Sequence, residues 1–582
     1  MESPGQVEAA IAASKLRCDL ITNFSQLEEL SADWDRLWRA DPNGEIFQSF
    51  GWARAWWRSY GDKISLRALV VFEGERVLGI LPLVRDGEQI VLLGGKQADY
   101  SAIVCENDRA AEVLEVALNT LLELPDWREC VLSNLKLEGG ILKQLSALPR
   151  KLRHYLQTVY VDDCYTILLS ENRDALVSLV GKHHTRRRLN KLRKAGTLTF
   201  RHVESKAEAQ VQISEFLRHQ IQARALAGKS AIPPEFCRFL RNLIDELDLS
   251  RELRFGVLEL NDQPLAWHLS FHVNDKLLFY QQTFDVDSWD YSPGEVLVHE
   301  LLRYVKENAV GEFDFAHGDE PFKNRFTTHT RKCYSLYIER SGIRGRLRRI
   351  LRASLIPWAH MVRNSIRVAK RHDKTFQRFR SVRLWSKGVL ARARHHRKKG
   401  TLTRWAVSRL EWLLGSVRFG GSPIYFVSPD WVKGMPAVPA VSDSSLSVSV
   451  GKLGDLVDIS LQYPELLAPS ELARYRRRLK KGDQVFLVRE GGQVVLLAWT
   501  TTSRHDATVS ANASQRIPAD APLMLLEECA AVSKFPERVH YRELLLALSQ
   551  EAEKKQAALG ICCLDRYPVL RSELKIMESV AA

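Results

Sequence analysis

The sequence predicts an α/β (α+β) protein made of tandem modules, each with a mixed, largely antiparallel sheet flanked by helices, plus a basic helical connector. Two observations support this: a helix, strand, tight turn and strand follow one another three times, and a dense run of cations precedes the third copy. The three turns are EGER (73–76), NDQP (261–264) and EGGQ (490–493). Each contains Gly, Asn or Asp, which tolerate the positive φ of tight hairpins, between β-branched and aromatic residues.

Helical patterns precede each hairpin. They cover 25–40 with 52–60, then 207–228, and then 470–482. Three related modules explain the repeated order, and coincidental hairpins in unrelated domains are the alternative. A chain of 582 residues exceeds one hydrophobic core and corresponds to roughly three or four domains. We place them at 17–170, 171–340, 341–415 and 416–582.

The third of these segments is a basic connector. Residues 341–405 contain 20 Lys or Arg and one acid, Asp373, for a charge of +19 in a chain of net charge +14. Apolar residues alternate with the cations and Pro357 interrupts them, which predicts two or more amphipathic helices. Such helices could lie on anionic lipid or bind acidic polymers or RNA. Packing on the protein body with solvated charges is the alternative.

Cysteine use and hydropathy argue against a secreted or membrane-spanning protein. The nine cysteines form no CxxC pair, so we expect buried free thiols and no structural zinc. No charge-free apolar run reaches the ~18 residues of a membrane helix, and the N-terminus lacks the order of a signal peptide. We expect a cytoplasmic protein, held at the periphery of the inner membrane if the connector binds lipid.

The middle module has the most complete pattern. A strand, KLLFYQQTF (276–284), precedes YSPGEVLVHELL (291–302) and a second strand in GEFDFAHG (311–318). Ser292 can cap the intervening helix, Pro293 suits its first turn, and Gly294 lets another group approach the backbone. The N-terminus of such a helix suits phosphate or pyrophosphate. However, Ser, Pro and Gly begin many helices that bind nothing, and Glu295 could satisfy the helix dipole itself.

A second basic segment, KHHTRRRLNKLRK (182–194), precedes this module. Its cations could hold the phosphates of a nucleotide-activated substrate or bind nucleic acid, or they could form a solvated helix face. His183 and His184 lack acidic or Cys partners at metal-ligand spacing, so we expect no metal.

The order of several motifs resembles the cellulose-biosynthesis (CelD/BcsL-like) acetyltransferases of the GNAT superfamily, relatives of Fem-type aminoacyltransferases. The stretches that carry the resemblance are FQSFGWARAWWRSYG, LVVFEGERVLGILPLV, KHHTRRRLNKLRKAGTLTFRHV, DQPLAWHLSF, TFDVDSWDYSPGEVLVHELL and FDFAHGDEPFKNRF. The resemblance covers about residues 20–340. It implies tandem GNAT-like folds, with an acyl donor bound by the second and an acceptor between the two.

The resemblance also implies site residues. The donor-binding residues are Gln281, Gln282, Thr283, Tyr291, Ser292, Pro293 and Gly294. The acceptor-binding residues are Lys182, Arg186, Arg187, Arg193, Trp52, Trp56 and Tyr100. The catalytic candidates are Asp314, His317, Lys323 and Tyr291.

Acyl transfer from a thioester needs a base, donors for the oxyanion and a partner for the leaving thiolate. Asp314 is a candidate base or orienting group, His317 a proton carrier and Lys323 a counter-charge. Backbone N–H groups of 281–283 could serve the oxyanion. The alternatives are a structural Asp314 and surface roles for His317 and Lys323.

In the third module the corresponding junction, KFPERVHY (534–541), contains no glycine. We expect this module to be a degenerate GNAT-like domain that binds substrate or is structural.

The function these observations indicate is acyl transfer, most simply of acetyl from acetyl-CoA as co-substrate without a metal. The acceptor would be an amine or hydroxyl in cell-envelope or exopolysaccharide biosynthesis, and the connector could contact a polysaccharide synthase. One alternative is Fem-like transfer from tRNA to a peptidoglycan precursor, the only interpretation that involves nucleic acid. The other is a non-catalytic GNAT-fold scaffold or regulator of such a synthase.

Overall fold

The computed structural model describes residues 16–137, 140–169, 183–318, 323–340, 349–352, 424–427, 446–464, 467, 469, 471–504, 522–532 and 537–562. The chain divides into two compact units, one of 1–221 with 232–368 and the other of 222–231 with 369–582. Lys182 and nearly all of the basic connector lie outside the described residues. None of the described helices is long and apolar enough to cross a membrane.

The first half of unit 1 corresponds to the first predicted module. Its elements are β1 (Leu16–Ile21), α1 (Phe24–Glu29), α2 (Ser31–Ala40), α3 (Phe50–Tyr60), β2 (Ser65–Leu66), β3 (Ala68–Glu73), β4 (Arg76–Leu81), β5 (Leu83–Asp86), β6 (Gln89–Leu92), β7 (Val104–Cys105), α4 (Ala110–Glu123), β8 (Glu129–Lys136), α5 (Ile141–Gln144), α6 (Arg150–Arg153) and β9 (Leu156–Leu168). The helix predicted over 25–40 is interrupted at Leu30, which ends α1 and precedes α2.

The second half follows the order predicted for the middle module. Its elements are α7 (His183–Ala195), β10 (Leu198–His202), α8 (Lys206–Leu226), α9 (Pro234–Glu246), β11 (Leu253–Leu260), β12 (Gln263–Val273), β13 (Lys276–Phe284), α10 (Pro293–Glu307), β14 (Glu312–His317), α11 (Lys323–Phe326) and β15 (His329–Glu339). The predicted strand 276–284 and the helix after it are confirmed.

A shared sheet joins the two halves of unit 1. Its strand order is β10-β11-β12-β13-β14-β9-β15-β8-β6-β5-β2, and a second sheet has the order β1-β3-β4-β7. β9, from the first half, pairs antiparallel with both β14 and β15 of the second half. β15 in turn pairs with β8. The first two predicted domains therefore lie in one compact unit with interleaved strands.

The three predicted hairpins are confirmed. β3 pairs with β4, β11 with β12, and β18 (Gln484–Glu490) with β19 (Gln493–Arg504), each antiparallel. Positive φ values occur at Gly74 in the first turn, at Asn261 and Asp262 in the second, and at Gly491 and Gly492 in the third. These are residue types that adopt the left-handed region at little cost, which explains why turn chemistry located the hairpins.

Helix α10 packs its apolar face on the sheet beside β13 and β14. Its residues Leu297, Leu301 and Val305 are fully buried in one cluster with Phe279 and Phe313. Each fully buried side chain of this kind contributes about 1.5–3 kcal/mol. The helix and the ends of these two strands are thus held rigidly together.

Unit 2 contains the third module. Its elements are β16 (Ile424–Val427), β17 (Leu446–Gly451), α12 (Leu453–Gln462), α13 (Leu472–Lys481), β18, β19, β20 (Pro522–Ala531), α14 (Arg538–Lys554) and β21 (Ala558–Cys562). The sheet order is β16-β21-β20-β19-β18-β17, with β20 and β21 parallel on either side of α14. The same strand, helix and parallel strand arrangement as β13-α10-β14 is therefore present.

The described start of the connector packs on unit 1. Arg352 pairs with Glu129 at 2.7 Å and with the fully buried Glu339 at 3.0 Å, and its guanidinium lies 3.7 Å from the centroid of the Tyr337 ring. At this position the connector packs on the protein body, which is the alternative to binding lipid or an acidic polymer. The membrane and polymer interpretations concern residues outside the described part.

Candidate active site

The parallel pair of β13 and β14 opens partway along its length. The two strands are in register from Lys276↔Glu312 to Leu278↔Asp314, after which their pairing stops, although β13 continues to Phe284. On its other edge, the pairing of β13 with β12 shifts around Tyr280. Beyond Leu278, the backbone groups of β13 that point away from β12 therefore face an opening in the sheet. The N–H groups of 281–283 in this part of β13 were predicted to serve an oxyanion.

Helix α10 begins beside the end of β13. A Cβ atom added to Gly294 would lie 3.6 Å from Phe284 Cδ1 and 3.8 Å from Gln282 Oε1. These are ordinary contacts, so packing does not require a glycine there. Gly294 instead leaves the second position of the helix without a side chain.

The predicted capping role of Ser292 is corrected by the structure. Ser292 occupies the N-cap position, but its backbone is left-handed (φ 54°, ψ 53°) and its side chain makes no capping hydrogen bond. Pro293 is the first helical residue, as predicted. Pro293 has no N–H, and the N–H groups of Glu295 and Val296 donate to the Ser292 carbonyl. The Gly294 N–H is the first-turn donor that a bound anion would use.

Two polar side-chain atoms near the opening are buried. Gln282 Oε1 and Thr283 Oγ1 have no hydrogen-bond partner among the described residues, whereas the Gln281 side chain accepts a bond of 2.9 Å from Gln220. Buried polar atoms usually find a partner, and water or a ligand supplies it where the protein does not. Of Gln281, Gln282 and Thr283, Gln282 is the residue whose side chain lies next to Gly294.

The basic helix α7 contacts the entry of α10. Arg188 pairs with Glu295, and Lys191 pairs with Asp290 at 2.7 Å while its Nζ lies 4.8 Å from the centroid of the Tyr291 ring. Because Arg188 neutralises Glu295, that carboxylate does not act alone on the helix dipole. Among the predicted substrate-binding cations, Arg186, Arg187 and Arg193 are exposed.

Asp314 is deeply buried and well satisfied. The Tyr100 hydroxyl lies 2.9 Å from Oδ1 and 3.0 Å from Oδ2, and the Ala316 N–H donates to Oδ1 at 2.7 Å. Asp314 is 0% and Tyr100 1% exposed. Burial raises the pKa of Asp314, and the carboxylates of Glu312 and Glu45 add to this. This environment suits an orienting group more than a base that reaches an acceptor.

A cluster of buried ion pairs surrounds this aspartate. Glu45 pairs with Lys276 at 2.6 Å and with Lys136, while Glu312 binds Arg331 through both oxygens. Burial alone would raise the pKa of Glu45, but the two lysines lower it below its usual range. The pKa of Glu312 is also lowered, since the hydrogen bond from Arg331 and the nearby cations outweigh burial. The cluster joins four distant stretches of sequence at the centre of unit 1.

His317 lies at the end of β14, three residues beyond the last β13–β14 pair. Its Nε2 is 3.1 Å from Oδ1 of Asp99, and its side chain is 36% exposed. Lys323 is buried and donates from Nζ to the His317 carbonyl at 2.9 Å, so it supports the backbone at this point. Asp99 was not identified from the sequence, where no local pattern distinguishes it.

The aromatic residues predicted to bind the acceptor are mostly internal. Trp52 is fully buried and packs edge to face on Phe47 and Phe239, so it belongs to the core and offers no surface to an acceptor. Trp56 is 7% exposed, and its Nε1 donates to the Gln97 side chain at 2.8 Å. The burial of Trp52 argues against its predicted binding role. The role of Trp56, like those of the other predicted site residues, stays a prediction.

The corresponding helix entry in unit 2 is closed by its own residues. Glu537 is the N-cap of α14; its N–H donates to His540 Nδ1 at 2.9 Å, and the His540 N–H donates to the Glu537 carbonyl at 3.2 Å. The N–H of the N-cap residue is thus taken by the side chain of His540. The degenerate character of the third module stays a prediction.

The chain was compared with known proteins. Residues 181–324 match the family described as acetyltransferase (GNAT) domain. No curated protein matches significantly. The solved structures that match include FemX, at 12% identity and a TM-score of 0.38 over 55% of this chain and 96% of FemX.

Two further matches are at a similar level. L-PGS from Bacillus licheniformis is 11% identical, with a TM-score of 0.36 over 56% of this chain and 96% of that one. A tandem GNAT protein from the clavulanic acid biosynthesis pathway is 13% identical, with a TM-score of 0.34 over 56% and 99%.

The fold and the family match define the class. The predicted class of mixed α/β folds with largely antiparallel sheets is confirmed, and residues 181–324 in the second half of unit 1 match the family described as acetyltransferase (GNAT) domain. A GNAT domain implies use of an acyl-CoA in general terms. Among the residues that the structure describes, no group of three or more His, Cys, Asp or Glu could hold a metal ion.

Proposed function

We propose that unit 1 binds acetyl-CoA at the junction of β13 and α10 and transfers the acetyl group to an amine or hydroxyl. The observation that carries this proposal is the opening of the β13–β14 pair after Leu278 and Asp314, with the uncapped N-terminus of α10 beside it. The helix entry would take the pyrophosphate, and the opening would take the pantetheine arm and the thioester.

In this arrangement the acceptor nitrogen or oxygen attacks the thioester carbonyl, the C–S bond breaks, and the acceptor proton is passed on as the thiolate leaves. Backbone N–H groups of 281–283 would stabilise the oxyanion, because they lie on the strand that borders the opening. His317 is the half-exposed base at the same edge. Asp314 would act as an orienting group, because its hydrogen bond with Tyr100 holds the segment between β6 and β7 against the end of β14.

The acceptor that we propose belongs to cell-envelope or exopolysaccharide biosynthesis, of the cellulose type. The support is the motif order that resembles the CelD/BcsL-like acetyltransferases. Contact of the connector with anionic membrane or a polysaccharide synthase is part of the same proposal and rests on its charge of +19.

Thermal unfolding of the full chain tests donor binding. A ligand at 100 times its dissociation constant stabilises the native state by about 2.7 kcal/mol. Millimolar acetyl-CoA should therefore raise the midpoint temperature of unfolding of unit 1. S-acetyl-N-acetylcysteamine, a thioester without pyrophosphate, should raise it far less. No shift with acetyl-CoA would overturn the proposal. A shift with aminoacyl-tRNA instead would support aminoacyl transfer.

A further inference from the structure

The segment between β6 and β7 carries a carboxylate to the second half of unit 1. Asp99 lies between two anchored residues: Asn134 donates to the Ala98 carbonyl at 2.7 Å, and the Tyr100 hydroxyl binds Asp314. One residue further back, the Gln97 carbonyl accepts from the Tyr280 hydroxyl at 3.1 Å. Asp99 is therefore held between anchored residues, through backbone carbonyls on one side and the Tyr100 side chain on the other.

The backbone of His317 is fixed as well. Ala316, just before it, has φ 57°, and the pairing with β9 shifts between Asp314 and His317. A non-glycine residue in this region is retained only where the surrounding structure demands it. The bulge turns the chain at the end of β14, and Lys323 holds the His317 carbonyl from α11.

We propose that Asp99 is a positioning residue that makes His317 the proton carrier of the acyl transfer, so that the first half of unit 1 completes the site of the second. This rests on the proposed function for the reaction, but the contact itself does not. Nε2–H donated to Asp99 leaves the basic lone pair on Nδ1, where the acceptor proton would be taken. The carboxylate also stabilises the imidazolium that forms.

Other ionisable groups surround the pair. Lys323 donates to the His317 carbonyl, and Cys164 on β9 is the register partner of His317. Tyr280, whose hydroxyl donates to the Gln97 carbonyl, is close enough to Asp99 to feel its charge. All of these remain in place when only Asp99 is changed. A change in the titration of His317 would then report the loss of the Asp99 charge.

Histidine titration by NMR tests the pair directly in the full chain. Protein labelled at histidine Cε1 would be titrated as wild type, Asp99→Asn and Asp99→Glu, with His317→Gln used to assign the signal. Loss of a carboxylate at 3.1 Å should lower the pKa of His317 by about 1 unit or more, and Asp99→Glu should restore most of it. Asp99→Ser repeats the test if the asparagine variant does not fold.

An unchanged His317 pKa in Asp99→Asn and Asp99→Ser would overturn the inference. The stabilisation by acetyl-CoA should persist in Asp99→Asn, because the described contact of Asp99 is with His317 at the end of β14. If acetyl-CoA gives no stabilisation even in wild type while the pKa still falls, the proposed function fails and the Asp99–His317 pair stands.

Discussion

The Tyr100 hydroxyl lies 2.9 Å and 3.0 Å from the two carboxylate oxygens of Asp314, residues that are 214 positions apart in the chain. This contact joins the segment between β6 and β7 to the end of β14. The same segment carries Asp99, and the same strand carries His317. The buried hydrogen bond therefore holds together the two segments that carry the positioning residue Asp99 and the proposed proton carrier His317.

Tyr100→Phe should lower the free energy of unfolding by about 1–3 kcal/mol, because a buried carboxyl loses its partner. Urea unfolding of Tyr100→Phe, Asp314→Asn and the double variant would measure this. A coupling energy of about 0.5–3 kcal/mol is expected for residues in contact. Additive effects of the two changes would contradict a direct interaction.

Glu45→Gln should cost about 3–5 kcal/mol, because it removes the buried carboxylate that two ion pairs share and leaves two largely buried lysines without it. The matched control is Glu88→Gln, whose partner is Arg128 and whose side chain is 64% exposed. That change should cost about 0–1 kcal/mol. Equal effects in urea unfolding would show that the Glu45 cluster is not desolvated.

The lowered pKa of Glu45 also predicts how its contribution to the free energy of unfolding changes with pH. Its stabilising contribution is present above the ordinary carboxyl range and is lost as the pH falls through the lowered value. The difference in unfolding free energy between wild type and Glu45→Gln should therefore shrink in acid. A difference that grows as the pH falls would contradict this assignment.

His202 should make the protein less stable in mild acid. Burial lowers its pKa to about 4, so the folded state binds fewer protons than the unfolded state below pH 6.5. Unfolding free energy should then fall as the pH drops from 6.5 towards 4, by up to roughly 3 kcal/mol. His202→Phe should remove this part of the pH dependence, whereas His154→Phe at an exposed site should leave it. Identical profiles for wild type and His202→Phe would contradict the prediction.

The connector gives a prediction about membranes. The full chain should sediment with vesicles containing phosphatidylglycerol and not with phosphatidylcholine vesicles, and salt should weaken the binding. A variant lacking 353–405, which keeps the Arg352 contacts, should lose the binding. Sedimentation that is independent of lipid charge would rule out this role.

Local patterns predicted most of the fold. Gly, Asn and Asp in the turns located three hairpins, and the strand 276–284 with the helix after it was found from periodicity and a Pro–Gly start. The left-handed Ser292 was missed, because a serine before a proline is typical of an ordinary cap.

The interleaving of β9 and β15 could not be predicted, since it depends on pairings between strands about 170 residues apart. The contacts of the candidate site could not be predicted for the same reason. Asp99 meets His317, and Glu45 meets Lys136 and Lys276, only when distant segments pack together. Motif order could suggest His317 and Asp314, but it could not identify the partners that define their chemistry.

Calorimetric titration of acetyl-CoA into wild type and Gly294→Asp tests the central claim most directly. An added carboxylate at the second residue of α10 should weaken binding at least about tenfold, because it repels the pyrophosphate and fills the open first turn. Ala111→Asp, the same change at the second residue of α4, should leave the dissociation constant unchanged. Equal affinity in wild type and Gly294→Asp would contradict the account, because the donor would then bind elsewhere.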